Sequence, residues 1–352
     1  MTLAKSATYD AASLPAIGGV FASCDVSEPV EDSLWARWTK GAAAAYGFRN
    51  ARSALWYILD QKRPRTFWLP AYCCPEVASA AQAAKVSVAF YRLGPDLQPD
   101  LGDLAPHLEA GDVVLGVNHF GRPAEALRPL AAARRDVTWI EDCAQAMDTA
   151  VPPWAPLRLF SPRKLAGVPD GGLLVDEEGQ LAPPGLRRRS DARLRHAGLL
   201  RRRDVGDRDN ARWFDAFRKA EAAMTVEAVA MSPVTVKGLK GTAAEPALRA
   251  RRYNYEVLRR ELGALAFFPE PRPDWVPMGY VIRVEDAAAV GAQLAANRIF
   301  APRHWARLAM SEPPALERSL SRQLLTLPCD QRYGEADMMR IVRTVRKGQG
   351  TA

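Results

Sequence analysis

The chain has 352 residues, 48% hydrophobic and 25% charged, with 48 Lys and Arg against 40 Asp and Glu, for a formal net charge of +8. That balance belongs to an ordinary folded protein and excludes a disordered one. No run approaches the roughly 18 apolar residues of a membrane span, so no membrane partner is expected. The five cysteines form no C-x-x-C pair and the four histidines show no ligand spacing, which predicts reduced thiols and no metal site.

The N-terminal stretch "MTLAKSATYDAASLPAIGG" lacks a basic segment followed by a continuous apolar one, so no signal peptide is expected and the protein reads as cytoplasmic. From about residue 50 to 177, short apolar runs alternate with helical periodicity. Strands are expected at 65–71, 86–93, 112–120, 137–143, 157–161 and 171–177. The segments between them, "ARSALWYILDQ", "PEVASAAQAAK", "LGDLAPHLEA" and "AEALRPLAAARR", space their apolar residues as helices do. This alternation predicts a largely parallel or mixed sheet with helices on both faces, whose ligands bind beyond the carboxyl ends of the strands.

After about residue 185 the pattern changes. An arginine-rich run, "RRRSDARLRHAGLLRRRDVGDR" (187–208), precedes a long helical stretch over 209–231. A helix over 245–262, a strand over 277–284, a helix over 285–298, a strand over 324–328 and a last helix over 333–347 follow. The expected organisation is a large α/β domain over residues 1–244 and a smaller α+β domain over 245–352. The basic run reads either as a site for an anionic partner or as a solvated arginine-rich helix. It has no interleaved aromatic residues and no zinc-finger, RNP or helix-turn-helix pattern, so nucleic acid is not an expected partner.

Two residues carry chemistry together. Asp142 ends the strand of "IEDCAQA", and Lys164 lies 22 residues on, just past the next strand, in "SPRKLAGVPDGG". A strand-end acid and a lysine are the pair that pyridoxal phosphate chemistry needs. The amine forms a Schiff base with the cofactor aldehyde, and the carboxylate keeps the pyridine nitrogen protonated. Ala144 is small enough to pack flat on the ring, and Gln145 is placed to reach the ring hydroxyl. A phosphate needs a helix N-terminus, and "RNARSALWYIL" offers one at Asn50, Ala51, Arg52 and Ser53.

The order N-A-R-S-A-L, "LPAYCCPEV", "VNHFGRPAE", "IEDCAQA", "SPRKLAGVPDGG", "RLRHAG", "RRYNYEVL" and "LLTLP" resembles the DegT/DnrJ/StrS family of fold-type I enzymes that use pyridoxal 5'-phosphate. Most members are aminotransferases acting on nucleotide-linked keto sugars. The resemblance implies that Lys164 is the Schiff-base lysine, Asp142 the pyridine-nitrogen partner and Gln145 the contact to the ring hydroxyl. It puts Ala51, Arg52 and Ser53 at the phosphate loop and Ser161 among the phosphate ligands, and makes Tyr72 the nearest candidate for the aromatic residue stacked on the ring. It also implies a homodimer, in which Asn210 of "GDRDNARW" reaches the neighbouring subunit's phosphate, or else simply begins a helix.

The chain departs from the family where Arg52 replaces a threonine and where Cys74 occupies the usual aromatic position. The expected activity is transfer of an amino group from an amino acid, glutamate foremost, to an anionic keto acceptor. The arginines of 187–208, with Arg303 or His304, are candidates to hold that acceptor. Two further readings stay open: a pyridoxal phosphate enzyme of specialised biosynthesis with a non-sugar substrate, and a non-catalytic binding protein that keeps the fold.

Overall fold

The computed structural model describes residues 14–24, 28–148, 152–205, 210–270 and 275–349. In chain order the strands are β1 (Ile17–Gly18), β2 (Ala44–Phe48), β3 (Thr66–Pro70), β4 (Ser87–Tyr91), β5 (Val113–Val117), β6 (Thr138–Asp142), β7 (Leu157–Phe160) and β8 (Gly172–Asp176). They continue with β9 (Arg188–Arg189), β10 (Val229–Ala230), β11 (Tyr280–Arg283), β12 (Ile299–Phe300) and β13 (Leu324–Leu327). Each strand expected between 65 and 177 is present, with ends no more than three residues from the expected ones.

Nine strands form one sheet in the order β4-β3-β5-β6-β7-β8-β2-β10-β9. From β4 to β7 the pairing is parallel, and β8 is antiparallel to both β7 and β2. β2 therefore runs in the same direction as β3 to β7. The carboxyl ends of β2, β3, β5, β6 and β7 all reach one edge of the sheet, where this architecture places its ligands.

The central strands read as continuous apolar runs because both faces are covered. Along β5, Val113, Leu115 and Val117 pack with Ile58 and Leu59 of helix Ala51–Lys62, whereas Val114 packs with Leu127 and Trp139 on the other face. All five residues of β5 are buried. At roughly 1.5–3 kcal/mol per buried valine or leucine side chain, this double covering fixes the strand's register and hence the position of its end. β2 has a weaker pattern: four of its five residues are only half-buried and Gly47 interrupts the run, so periodicity alone passes over it.

The expected helix over 209–231 ends earlier, at Ala222, and Val229–Ala230 forms strand β10. Ala230 pairs with Phe48 of β2, and Val229 with Arg188 of β9. Sheet pairing at this edge outweighs the helical spacing of the local sequence. The arginine-rich segment contributes a helix, Arg193–Val205. In the C-terminal region β11 and β13 pair antiparallel, and Tyr255, Leu258, Ile341 and Val345 form their core. The N-terminal Ile17 joins that core through the pairing of β1 with β12. No helix among the described residues is long and apolar enough to cross a membrane.

The turn Asp170-Gly171-Gly172 ties the sheet to the helix that begins at Ala51. Gly171 has φ +120 and donates its N–H to the Arg49 carbonyl at 2.7 Å. A Cβ on Gly172 would lie 2.2 Å from the Asn50 carbonyl carbon and 2.3 Å from the Ala51 nitrogen. Asp170 is fully buried and accepts from the Ser232 N–H (3.0 Å), the Ser232 hydroxyl (2.7 Å) and the Thr235 hydroxyl. Because the close neighbours of Gly172 are backbone atoms, Gly172→Ala should destabilise the fold by about 3 kcal/mol. Gly185→Ala, where nothing lies within 4 Å of the added Cβ, should change stability by less than about 0.5 kcal/mol. Urea unfolding of both variants measures the difference, and equal midpoints would contradict the close-approach account.

Candidate active site

At the carboxyl edge of the sheet lies a pocket of about 640 Å³. Ala51 and Arg52 line it from the start of helix Ala51–Lys62, Asp142, Ala144 and Gln145 from the end of β6, and Ser161 and Lys164 from the turn after β7. Ser53 and Tyr72 do not line it. Asn210 begins helix Asn210–Ala222, and its side chain, like that of Arg212, lies outside the described residues.

Asp142 accepts the Ala144 N–H at 2.9 Å. Burial raises its pKa above the ordinary carboxylate value, while the Lys164 charge and the Ala144 N–H pull it back. The same Lys164 charge acts on Cys74 and His304, so all three groups sit within its electrostatic reach. Burial and Lys164 together push His304 down to about 3, and its Nδ1 lies 2.9 Å from the Thr326 hydroxyl. His304 is therefore neutral at physiological pH and supplies no charge for an anion. Arg303 is exposed.

Gln145 is held by one end. Its Oε1 accepts the N–H of Phe120 at 2.7 Å, and Phe120 adopts a left-handed φ of 58°. Its Nε2 is buried and has no hydrogen-bond partner. An unsatisfied buried donor costs about 1–3 kcal/mol, so an acceptor bound in the pocket would recover that energy.

At the helix start, Asn50 accepts the Ser53 N–H at 2.9 Å as N-cap. Arg52 Nη1 donates to Glu76 at 2.5 Å, which neutralises its charge locally. Ser53 is buried, and its hydroxyl accepts the Glu227 N–H at 3.2 Å; that side chain supports the loop from outside the pocket. Tyr72 is also fully buried, with its ring 5.3 Å from Trp305 and 5.7 Å from His119. Its ring fills the core beneath the pocket, while Cys74 and Trp305 reach the pocket wall.

Sequence reasoning missed Trp305 and the contribution of helix Asn210–Ala222, which brings Phe214, Phe217 and Glu221 to the pocket. The i, i+3 spacing of Phe214 and Phe217 was the available signal; Trp305 stands in a segment without periodicity. A second cavity of about 860 Å³ opens on the other side of Lys164 and shares Arg163, Lys164, Phe214, Phe217 and Glu221 with the first. From the arginine-rich run, Arg195 and Arg202 line it, and both are buried. Arg202 donates to the Gly18 carbonyl at 3.2 Å and lies 4.8 Å from the Trp213 ring centroid. The side chains of Arg201 and Arg203 lie outside the described residues.

No protein-family model matches the chain, and no curated protein is similar to it in sequence. Solved structures are similar in fold. A DegT DnrJ EryC1 StrS aminotransferase from Brucella abortus is 18% identical with a TM-score of 0.66, over 89% of this chain and 87% of that one. DesV of S. venezuelae, solved in complex with a ketimine intermediate, is 18% identical with a TM-score of 0.67, over 95% and 90%. DesI, solved in the presence of its TDP-sugar product, is 16% identical with a TM-score of 0.65, over 93% and 94%. The chain has the mixed α/β architecture of fold-type I aminotransferases, as the sequence led one to expect.

Beside Asp142, Glu141 points into the protein. Asn118 Nδ2 donates to its Oε1 at 2.7 Å, and its Oε2 is buried without a partner. Burial raises its pKa from 4.5 to about 7. A carboxyl whose pKa is higher folded than unfolded favours the folded state fully below the unfolded value, and that contribution disappears as pH rises through the folded one. Between pH 5 and pH 8 the protein should therefore lose about 2 kcal/mol that Glu141→Gln does not lose. Denaturant unfolding at the two pH values tests this; parallel losses in both proteins would show that Glu141 does not titrate in this way.

Proposed function

We propose that the protein is a pyridoxal 5'-phosphate-dependent aminotransferase that moves an amino group from an amino acid, glutamate foremost, to the keto group of a nucleotide-linked keto sugar. The observation that carries this reading is the convergence of Asp142, Lys164 and the unpartnered Gln145 Nε2 on one pocket at the carboxyl edge of the sheet. The pocket volume, about 640 Å³, suits a ligand of the cofactor's size. The acceptor class is supported by the fold neighbour solved with its TDP-sugar product.

The residues present fit the cofactor. Lys164 would hold it covalently through Nζ, Asp142 would face the ring nitrogen, and Gln145 Nε2 would donate to the ring hydroxyl. The N–H groups at the start of helix Ala51–Lys62, with Ser161, would take the phosphate. Ala144 leaves room for a flat ring. When bound, pyridoxal phosphate withdraws electrons and so stabilises negative charge at the substrate carbon that loses a proton.

The chain's own groups do the rest. Asp142 would hold a proton on the ring nitrogen, and its burial would strengthen that interaction over what water allows. Lys164 Nζ would be the base that takes the proton from the substrate carbon bearing the amino group. Phe214, Phe217 and Trp305 wall the pocket and limit the entry of water. The same reading makes the protein a homodimer, with the exposed Phe214 available at the interface; sedimentation as a monomer at micromolar concentration would remove that part.

Lys164→Ala should abolish turnover while far-UV circular dichroism stays unchanged. Asp142→Asn should retain bound cofactor yet turn over about 10- to 100-fold more slowly, because a charge-assisted hydrogen bond worth roughly 1.5–3 kcal/mol is lost. Single-turnover absorbance changes with L-glutamate read both effects, and product analysis with keto sugars reads the acceptor. Near-normal rates in the Asp142→Asn protein would remove the role given to that carboxylate.

A further inference from the structure

Three elements meet at one carboxylate beside Lys164. The turn after β7 brings Arg163, helix Arg193–Val205 brings Arg195, and helix Asn210–Ala222 brings Glu221. Arg163 Nη1 donates to Glu221 Oε1 at 2.5 Å and also to Oε2, and Arg195 Nη1 donates to the same Oε2. The Nε of each arginine is buried with no hydrogen-bond partner among the described residues. Two cations thus share one anion, and each keeps a donor unused.

The other arginines lining the larger cavity are tied down differently. Arg251 donates to the carbonyls of Pro277 and Met278, and Arg332 pairs with Asp330 two residues away. Glu221, by contrast, is a side chain with 34% of its surface exposed, on a helix that borders both cavities. Burial opposes its ionisation, yet Arg163 and Arg195 overcome that and hold it down at about 2. Arg195 is itself lowered to about 10, by burial and by Arg163, and so stays charged at neutral pH. The Phe217 ring covers its guanidinium at 4.3 Å. Such a group recognises planar, two-oxygen anions best, through paired charge-assisted bonds.

We propose that Arg163 and Arg195 form the binding site for a carboxylate of the amino-acid substrate, and that Glu221 occupies the site until the substrate's carboxylate displaces it. The inference rests on the aminotransferase reading and names the group that recognises its donor. The resident carboxylate keeps two buried cations satisfied when no substrate is present, since leaving them unpaired would be costly. The incoming carboxylate takes over the same Nη donors and gains the free Nε donors, which Glu221 leaves unused. Glu221 is exposed enough to turn toward solvent. Arg163, Glu221 and Lys164 line the same cavities, so the captured substrate shares a chamber with the reacting amine.

The test is calorimetric titration of the cofactor-loaded protein with 2-oxoglutarate, the keto acid of the expected donor. Glu221→Gln removes the competing charge and should lower the dissociation constant three- to tenfold. Arg163→Met should raise it at least tenfold, and Arg163→Lys should restore part of the loss. If the three side chains only brace the two helices against the turn, Glu221→Gln will weaken binding or leave it unchanged, and the proposal falls. It falls equally if Arg163→Met leaves the constant unchanged. Should Arg163→Met not fold, the direction of the Glu221→Gln change decides alone. Titration reads carboxylate binding whether or not an amino group is transferred, so its failure is separate from failure of the aminotransferase reading, which shows in Lys164 and cofactor attachment.

Discussion

A negative charge at the end of one parallel strand and a positive charge just past the end of its neighbour dominate this structure. Asp142 closes β6 and Lys164 follows β7, and the Lys164 charge offsets part of the cost of burying the Asp142 carboxylate at the edge of the sheet. The pair requires β6 and β7 to be adjacent, parallel and fixed in register. Register in turn requires helices on both faces, which is why β5 is apolar throughout.

After Lys164 the chain must reverse. It does so through Pro169, Asp170, Gly171 and Gly172, and the reversal makes β8 antiparallel to β7. That change of direction lets β2 run alongside with its carboxyl end at the same edge. Asn50, Ala51 and Arg52 and the lysine turn therefore face one pocket although more than a hundred residues separate them. Gly172 permits the backbone contact, and Asp170 anchors the turn to Ser232 and Thr235. Lys164 also lines the second cavity, together with Arg163, Arg195, Arg202, Arg251 and Arg332.

Much of this was legible in the sequence, for physical reasons. Among the strands from 65 to 177, the central ones stood out most because burial on both faces favours apolar runs, as in β5 and β8. Asp142, Gln145 and Lys164 stood out because strand ends in this architecture are where ligands bind, and local spacing fixes those ends. Tyr72 lies outside the pocket lining because the side-chain direction of a residue just past a strand depends on packing, here against His119 and, across more than two hundred residues, Trp305. Ser53 faces the Glu227 backbone for the same kind of reason. The arginine-rich run could be counted in the sequence but not apportioned: the fold turns Arg195 and Arg202 inward, which their spacing alone does not announce. Glu221 carried no local signal at all, since its meaning comes from Arg163 and Arg195 on two other elements.

The central claim is that Lys164 is the point of covalent attachment for pyridoxal 5'-phosphate. Incubation of the purified protein with the cofactor, reduction with borohydride and peptide mass spectrometry would address it directly. The account predicts one modified peptide, spanning 158–175, with the phosphopyridoxyl mass on Lys164 and none on the other lysines. Attachment to a different lysine, or a protein that binds no cofactor, would contradict it.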